Sequence, residues 1–321
     1  MTTNDNIHKF VLFLIATLVA TACSKDDAST SQPPSSDNSV IQLNADVWRV
    51  MEGTRAATYD NQTAIRNEGT FTCTVYNEGT ITEYISSSTV TWNGSTAWEF
   101  PTKHYWPMSG SLDFFAYMPA TPPSYITSPT YTAAHNVTFT CSSLPMTNSG
   151  QGSGLKEFIY GIALGQNKGN ASSGVPLTFQ HPFARIKLQL AASHPNVTIN
   201  SITFRSIKNN GSYDQSASPK WSTSGDATNF VFSLTGDAAV FNNNPATATQ
   251  IGEYYIMIPQ VWAGEIVVNA DCLFWGDKVN YPSLTTTVPT TWQPGYSYTY
   301  TFNISPDDLK VDIENTFTEQ W

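Results

Sequence analysis

Hydrophobic and polar positions alternate with a period of two along most of this chain, the spacing of a strand with one buried face. In "TFTCTVYNEG" the side chains of Phe71, Cys73 and Val75 fall on one face. "SLDFFAYMP" sets Leu112, Phe114 and Ala116 against Phe115 and Tyr117, and "FARIKLQL" sets Ile186, Leu188 and Leu190 against Arg185, Lys187 and Gln189. The same period runs through "VTINSITF", "FVFSL", "EYYIMIP", "EIVVNADCLFW" and "YSYTYTFNI". Gly or Pro punctuates nearly every run, at Gly79, Pro119, Gly211, Pro259 and Pro294 among others, so short strands joined by turns are predicted. No segment holds a helical period over four turns, and the chain is predicted to be all-β. From residue 40 it extends for about 280 residues, long for one β-sandwich of roughly 100. Two sandwiches in series are predicted, with their boundary in the Gly/Ser-rich "GQNKGNASSGVP" at 165–176.

Both ends of this region alternate as well. "SVIQLNADVWRVMEGTRAATYDN" begins as an apolar strand carrying Val40, Ile41, Leu43, Val47 and Val50, then opens into small residues around Arg55 and Ala56. A small-residue stretch around one arginine, here Arg55, is the sort of site a trypsin-like protease reaches. At the other end "LKVDIENTFTEQW" sets Leu309, Val311 and Ile313 against Lys310, Asp312 and Glu314, with Phe317 beyond. Such a terminal strand either finishes its own sheet or completes another subunit's by strand addition.

The residues ahead of this region change the picture. The apolar run at 10–22 follows His8 and Lys9 and is too short to cross a bilayer as a helix, which takes roughly 20 residues. It reads as a signal peptide. Ala20, Thr21 and Ala22 before Cys23 resemble a bacterial lipobox, in which the thiol is acylated, although Ala20 stands where leucine is usual; the alternative is an ordinary signal peptide cut near a cysteine. Ser24, Lys25, Asp26 and Asp27 resemble the export signal of surface lipoproteins of Bacteroidetes, and "DDASTSQPPSSDNS" lacks the apolar residues needed to pack, so it is predicted to be a tether.

Charge and chemistry narrow the function. The net charge is -10, with 15 basic residues against 25 acidic, which argues against nucleic acid as a partner. Of four cysteines, Cys23 is assigned to lipid; Cys73, Cys141 and Cys272 permit one disulfide at most and lack metal-site spacing. No phosphate loop, zinc helix or nucleophile motif is present, and His181 before a proline and a strand reads as structural, so neither catalysis nor a cofactor is expected. Trp92, Trp98, Trp106, Trp221, Trp262, Trp275, Trp292 and Trp321 could stack on sugar rings, although most tryptophans of a sandwich belong to its core.

Taken together, the start at Cys23, "TRAAT" at 54–58, "LDFFAYMP" at 112–119, "PLTFQHPFARIKLQL" at 176–190, "YYIMIPQ" at 254–260 and "WQPGYSYTYTFNI" at 292–304 resemble the fimbrillin family, the Mfa-like subunits of type V pili of Bacteroidetes. The resemblance implies two tandem Greek-key, transthyretin-like β-sandwiches at 56–172 and 173–306, after a signal peptide (1–22), a lipidated tether (23–39) and a propeptide strand (40–55). It implies export as a palmitoylated lipoprotein to the cell outer membrane, cleavage between Arg55 and Ala56 by a trypsin-like protease, with Arg49 and Arg66 as alternatives, and polymerisation by donor-strand exchange. A neighbouring pilus subunit's terminal strand then fills the groove that the propeptide strand leaves; residues 307–321, with Leu309, Val311, Ile313 and Phe317 inward, are the matching donor. Cut there, the chain keeps 11 basic and 19 acidic residues, a net of -8. The competing expectation is a monomeric surface lipoprotein that binds glycans.

Overall fold

Alternation becomes strands throughout a computed structural model that describes residues 40–47, 59–152, 155–190, 197–234, 239–240, 249–274, 277–287, 290–305 and 310–320. In chain order the elements begin with β1 (Leu43–Val47), α1 (Gln62–Glu68), β2 (Thr70–Asn77), β3 (Glu83–Trp92), β4 (Trp98–Glu99), β5 (Leu112–Met118), β6 (Ile126–Tyr131) and β7 (Val137–Cys141). There follow β8 (Ile159–Gln166), β9 (Val175–Gln180), β10 (Ala184–Leu190), β11 (Val197–Asp214), β12 (Trp221–Ser233), β13 (Ala239–Val240) and β14 (Thr249–Met257). The last are β15 (Val261–Trp262), β16 (Glu265–Phe274), β17 (Asp277–Thr287), β18 (Thr290–Thr291), β19 (Tyr296–Ser305) and β20 (Lys310–Gln320). The protein is all-β, as its pattern predicts.

The helix α1 is an element that period-reading does not find, because two turns are too few to show 3.6-residue spacing. Its ends are nevertheless written locally. Asn61 caps the first turn, its Oδ1 accepting from the Ala64 amide at 2.9 Å, and Gly69 ends the helix in the left-handed conformation at φ 76°.

Strands β1, β4, β3, β2, β5, β8 and β9 pair in that order and close into a ring. Its interior holds Phe71, Cys73, Val75, Leu112, Phe114, Ala116 and Ile65 of the helix. A four-stranded sheet, β14-β10-β19-β20, faces the sheet β17-β16-β11 with β12 alongside β11, and between them lies a second core around Ile186, Leu188, Phe204, Phe230 and Tyr300. A third, aromatic cluster joins the halves: Phe115, Phe139, Phe158 and Tyr160 pack with Phe183, Tyr213 and Trp221. Pairings cross the stretch 165–176 in both directions. β9, which starts at its last two residues, closes the ring, while β7, before it, pairs antiparallel with β11 from Gly211 opposite Cys141 to Asp214 opposite Thr138. Cys73 and Cys141 are both free, one in the ring core and the other in the aromatic cluster.

Candidate functional site

The N-terminal strand is the seam of the ring. On one side β1 runs parallel to β9 through five matched positions, from Leu43 opposite Val175 to Val47 opposite Phe179. On the other it meets β4 at one position, Leu43 opposite Trp98. Just ahead of it Val40 bridges to Tyr105, and the Ile41 amide donates to the His104 carbonyl at 2.8 Å. The Val175 amide donates to the Gln42 carbonyl at the same distance.

Side chains follow the alternation read from the sequence. Ile41, Leu43, Ala45 and Val47 are buried in the ring core, while Gln42, Asn44 and Asp46 face solvent. The side-chain hydrogen bond described on this outer face is local, Asp46 Oδ1 accepting from the Val47 amide. The strand is therefore held by main-chain ladder and apolar burial, both of which another strand of similar pattern can supply. Gly174 fits the seam closely: at φ 98° it takes a conformation that favours glycine, and a Cβ there would lie 3.4 Å from that of Asn44.

A buried ionic cluster joins Asp60, just ahead of α1, to Arg185 of β10. Asp60 Oδ1 accepts from Arg185 Nη1 at 2.9 Å, Arg185 Nε donates to Ser297 Oγ, and the guanidinium lies 4.2 Å above the Tyr254 ring. Nearby, His181 Nδ1 lies 3.0 Å from Glu157 Oε2, both side chains fully enclosed. Burial pushes the Glu157 carboxyl up from its ordinary range, against the downward pull of His181. Burial likewise pushes up the thiols, that of Cys141 to about 12. Sequence reading takes Arg185 for an outward residue of an amphipathic strand and misses this pairing. Its partner lies 125 residues away, so no local signal marks it.

At the other end, β20 is the edge of its own sheet, antiparallel to β19 with Val311 opposite Ile304, Ile313 opposite Phe302 and Phe317 opposite Thr299. The expected donor strand thus pairs within its own chain. Cys23, Val50, Arg49, Arg55, Ala56 and Leu309 lie outside the described residues. Arg66 is on α1, its guanidinium 4.5 Å from the centre of the Trp92 ring. The tryptophans that could stack on sugars are largely core: Trp98, Trp221, Trp262 and Trp292 are buried, and Trp92 and Trp106 pack against the ring core. The indole N–H of Trp221 donates to the Pro182 carbonyl and that of Trp292 to the Tyr300 hydroxyl. Trp275 and Trp321 are outside the described residues.

A family profile described as fimbrillin-like matches residues 54–321. Among solved structures, the chain is similar to a candidate cell adhesion protein of Bacteroides ovatus, with 13% identity, 88% of this chain and 96% of that one covered, and a TM-score of 0.51. It is also similar to a candidate cell adhesion protein of Bacteroides uniformis (14% identity, 90% and 100% covered, TM-score 0.46). A third similar structure is the tip fimbrial protein Mfa3 of Porphyromonas gingivalis with a C-terminal truncation (11% identity, 79% and 94% covered, TM-score 0.39). No curated protein matches.

Proposed function

The chain belongs to the fimbrillin-like family, and from the seam that β1 forms we propose that it is a structural subunit of a cell-surface pilus, assembled by replacement of that strand. In this reading it is exported as a lipoprotein acylated on Cys23, held at the outer membrane, and cut between Arg55 and Ala56 by a trypsin-like protease. The cut separates β1 and the residues ahead of it, with Val40, Ile41, Leu43 and Val47, from the rest of the ring. A neighbour's terminal strand takes its place, while Leu309, Val311, Ile313 and Phe317 of this chain serve as donor to another subunit. The assembled fibre supports adhesion and needs no catalysis.

The observation that carries this reading is the character of β1 and the residues just ahead of it: they close a ring, bury Ile41, Leu43, Ala45 and Val47 inward, and present polar side chains outward. Burial of Ile41, Leu43 and Val47 is worth about 1.5–3 kcal/mol each. Cleavage alone therefore leaves β1 seated. An incoming strand with equivalent side chains exchanges for it at small net cost, because ladder and burial are both restored. The helix α1 favours Arg55 over Arg66 as the cut, since Arg66 sits in a capped helix, stacked on Trp92, where a protease cannot take it as an extended strand. A cut after Arg55 also leaves Asp60 in place for Arg185.

An Arg49→Ala/Arg55→Ala chain expressed in the parent cell tests the reading. Surface polymer is expected to fall at least tenfold while the uncut protein accumulates at its full mass. Wild-type levels of polymer from the double variant would refute it.

A further inference from the structure

The seam has a size pattern, and it points to the partner. Resting on the strand-replacement reading above, we infer that the strand which takes the place of β1 comes from a different subunit, not from a second copy of this chain.

Four inward sites lie two residues apart along the seam: Ile41, Leu43, Ala45 and Val47. Three are large and the third is small. Ala45 is 1% exposed, lies opposite the fully buried Leu177 in the ladder, and shares a core with Ile65 of α1, which packs against β1. A replacement must therefore read large, large, small, large at alternate positions, because interiors are filled to near-crystal density and added methylenes displace their neighbours.

The chain's own terminal strand reads Leu309, Val311, Ile313, Asn315 and Phe317 at alternate positions. Running in the direction of β1, it can place Val311, Ile313 and Phe317 at the sites of Ile41, Leu43 and Val47. Asn315 then falls on the Ala45 site, which buries a carboxamide in an apolar core. Sliding by two residues puts Ile313 or Phe317 on the small site and carries Asn315 to a neighbouring inward one. A further slide brings Val311 there and Asp307 to the Ile41 site. In the reverse direction each register likewise buries Asn315 or overfills the Ala45 site. The seam and the chain's own donor strand are mismatched at one position, and the residue that causes it is Asn315. A donor of the right chemistry carries alanine, glycine or serine there, between large aliphatic residues.

The test is exchange of labelled peptides into the full chain cleaved at Arg55, using residues 38–50, residues 307–321, and the latter with Asn315→Ala. The native 38–50 peptide is expected to enter, the 307–321 peptide to bind at least tenfold more weakly, and Asn315→Ala to recover most of that difference. Equal binding of the 38–50 and 307–321 peptides would overturn the inference while leaving strand replacement standing. Failure of the 38–50 peptide itself to enter would overturn strand replacement, and the inference with it.

Discussion

Glu157 shows how far a single residue in this fold departs from its ordinary chemistry. Its carboxyl is fully buried beside His181, with Asp60 and Arg185 in the same cluster, and burial outweighs the downward pulls of His181 and Arg185 in raising it above 4.5. Folding therefore favours its protonated form. That contribution is complete below pH 4.5 and is lost as the pH rises through the elevated value. Glu157→Gln keeps hydrogen-bonding groups facing His181 Nδ1 and carries no charge to bury. The variant is expected to melt with wild type at pH 4 and above it at pH 7.5, by calorimetry at both values; a variant less stable at pH 7.5 would mean that the contact with His181 outweighs burial. His181 was legible as a structural histidine ahead of a strand, but its acid partner, 24 residues upstream, was not. Nor was the role of Asp113, which is buried and accepts from the amides of Gly79 at 3.0 Å and Gly165 at 2.9 Å, where it ties two turns together.

Among the elements, β1 is held by main-chain ladder and apolar burial, and the turn before β9 runs close against it. Gly174→Ala is strained by its φ of 98°, while its methyl would sit in contact with Asn44. The substitution is expected to cost roughly 1–3 kcal/mol and to speed release of the cut strand in a fluorescence dissociation assay, with little change in the second core. Unchanged release would mean that the seam does not depend on this turn. Strands of this kind were readable from sequence because period-two burial is local: Phe71, Cys73 and Val75, or Ile186, Leu188 and Leu190, share a face whatever their partners are. Their pairing was not readable. That β1 lies parallel to β9, about 130 residues on, follows from the closure of the ring and leaves no trace in either segment alone.

Over the whole molecule, the two halves are interleaved: β9 belongs to the ring and β6 and β7 to a sheet of the second half, with an aromatic cluster between them. The Gly/Ser-rich stretch at 165–176 is read from sequence as the boundary between two sandwiches, whereas the crossing of strands on either side of it depends on contacts far apart in sequence. Such a body can lose one seam strand without losing its second and third cores, which contain no residue of β1. The most direct measurement is N-terminal sequencing with intact mass of the protein recovered from assembled surface fibres. A chain starting at Ala56 and carrying no lipid is predicted. A polymerised chain that starts at an acylated Cys23 and still contains β1 would contradict strand replacement as the means of assembly.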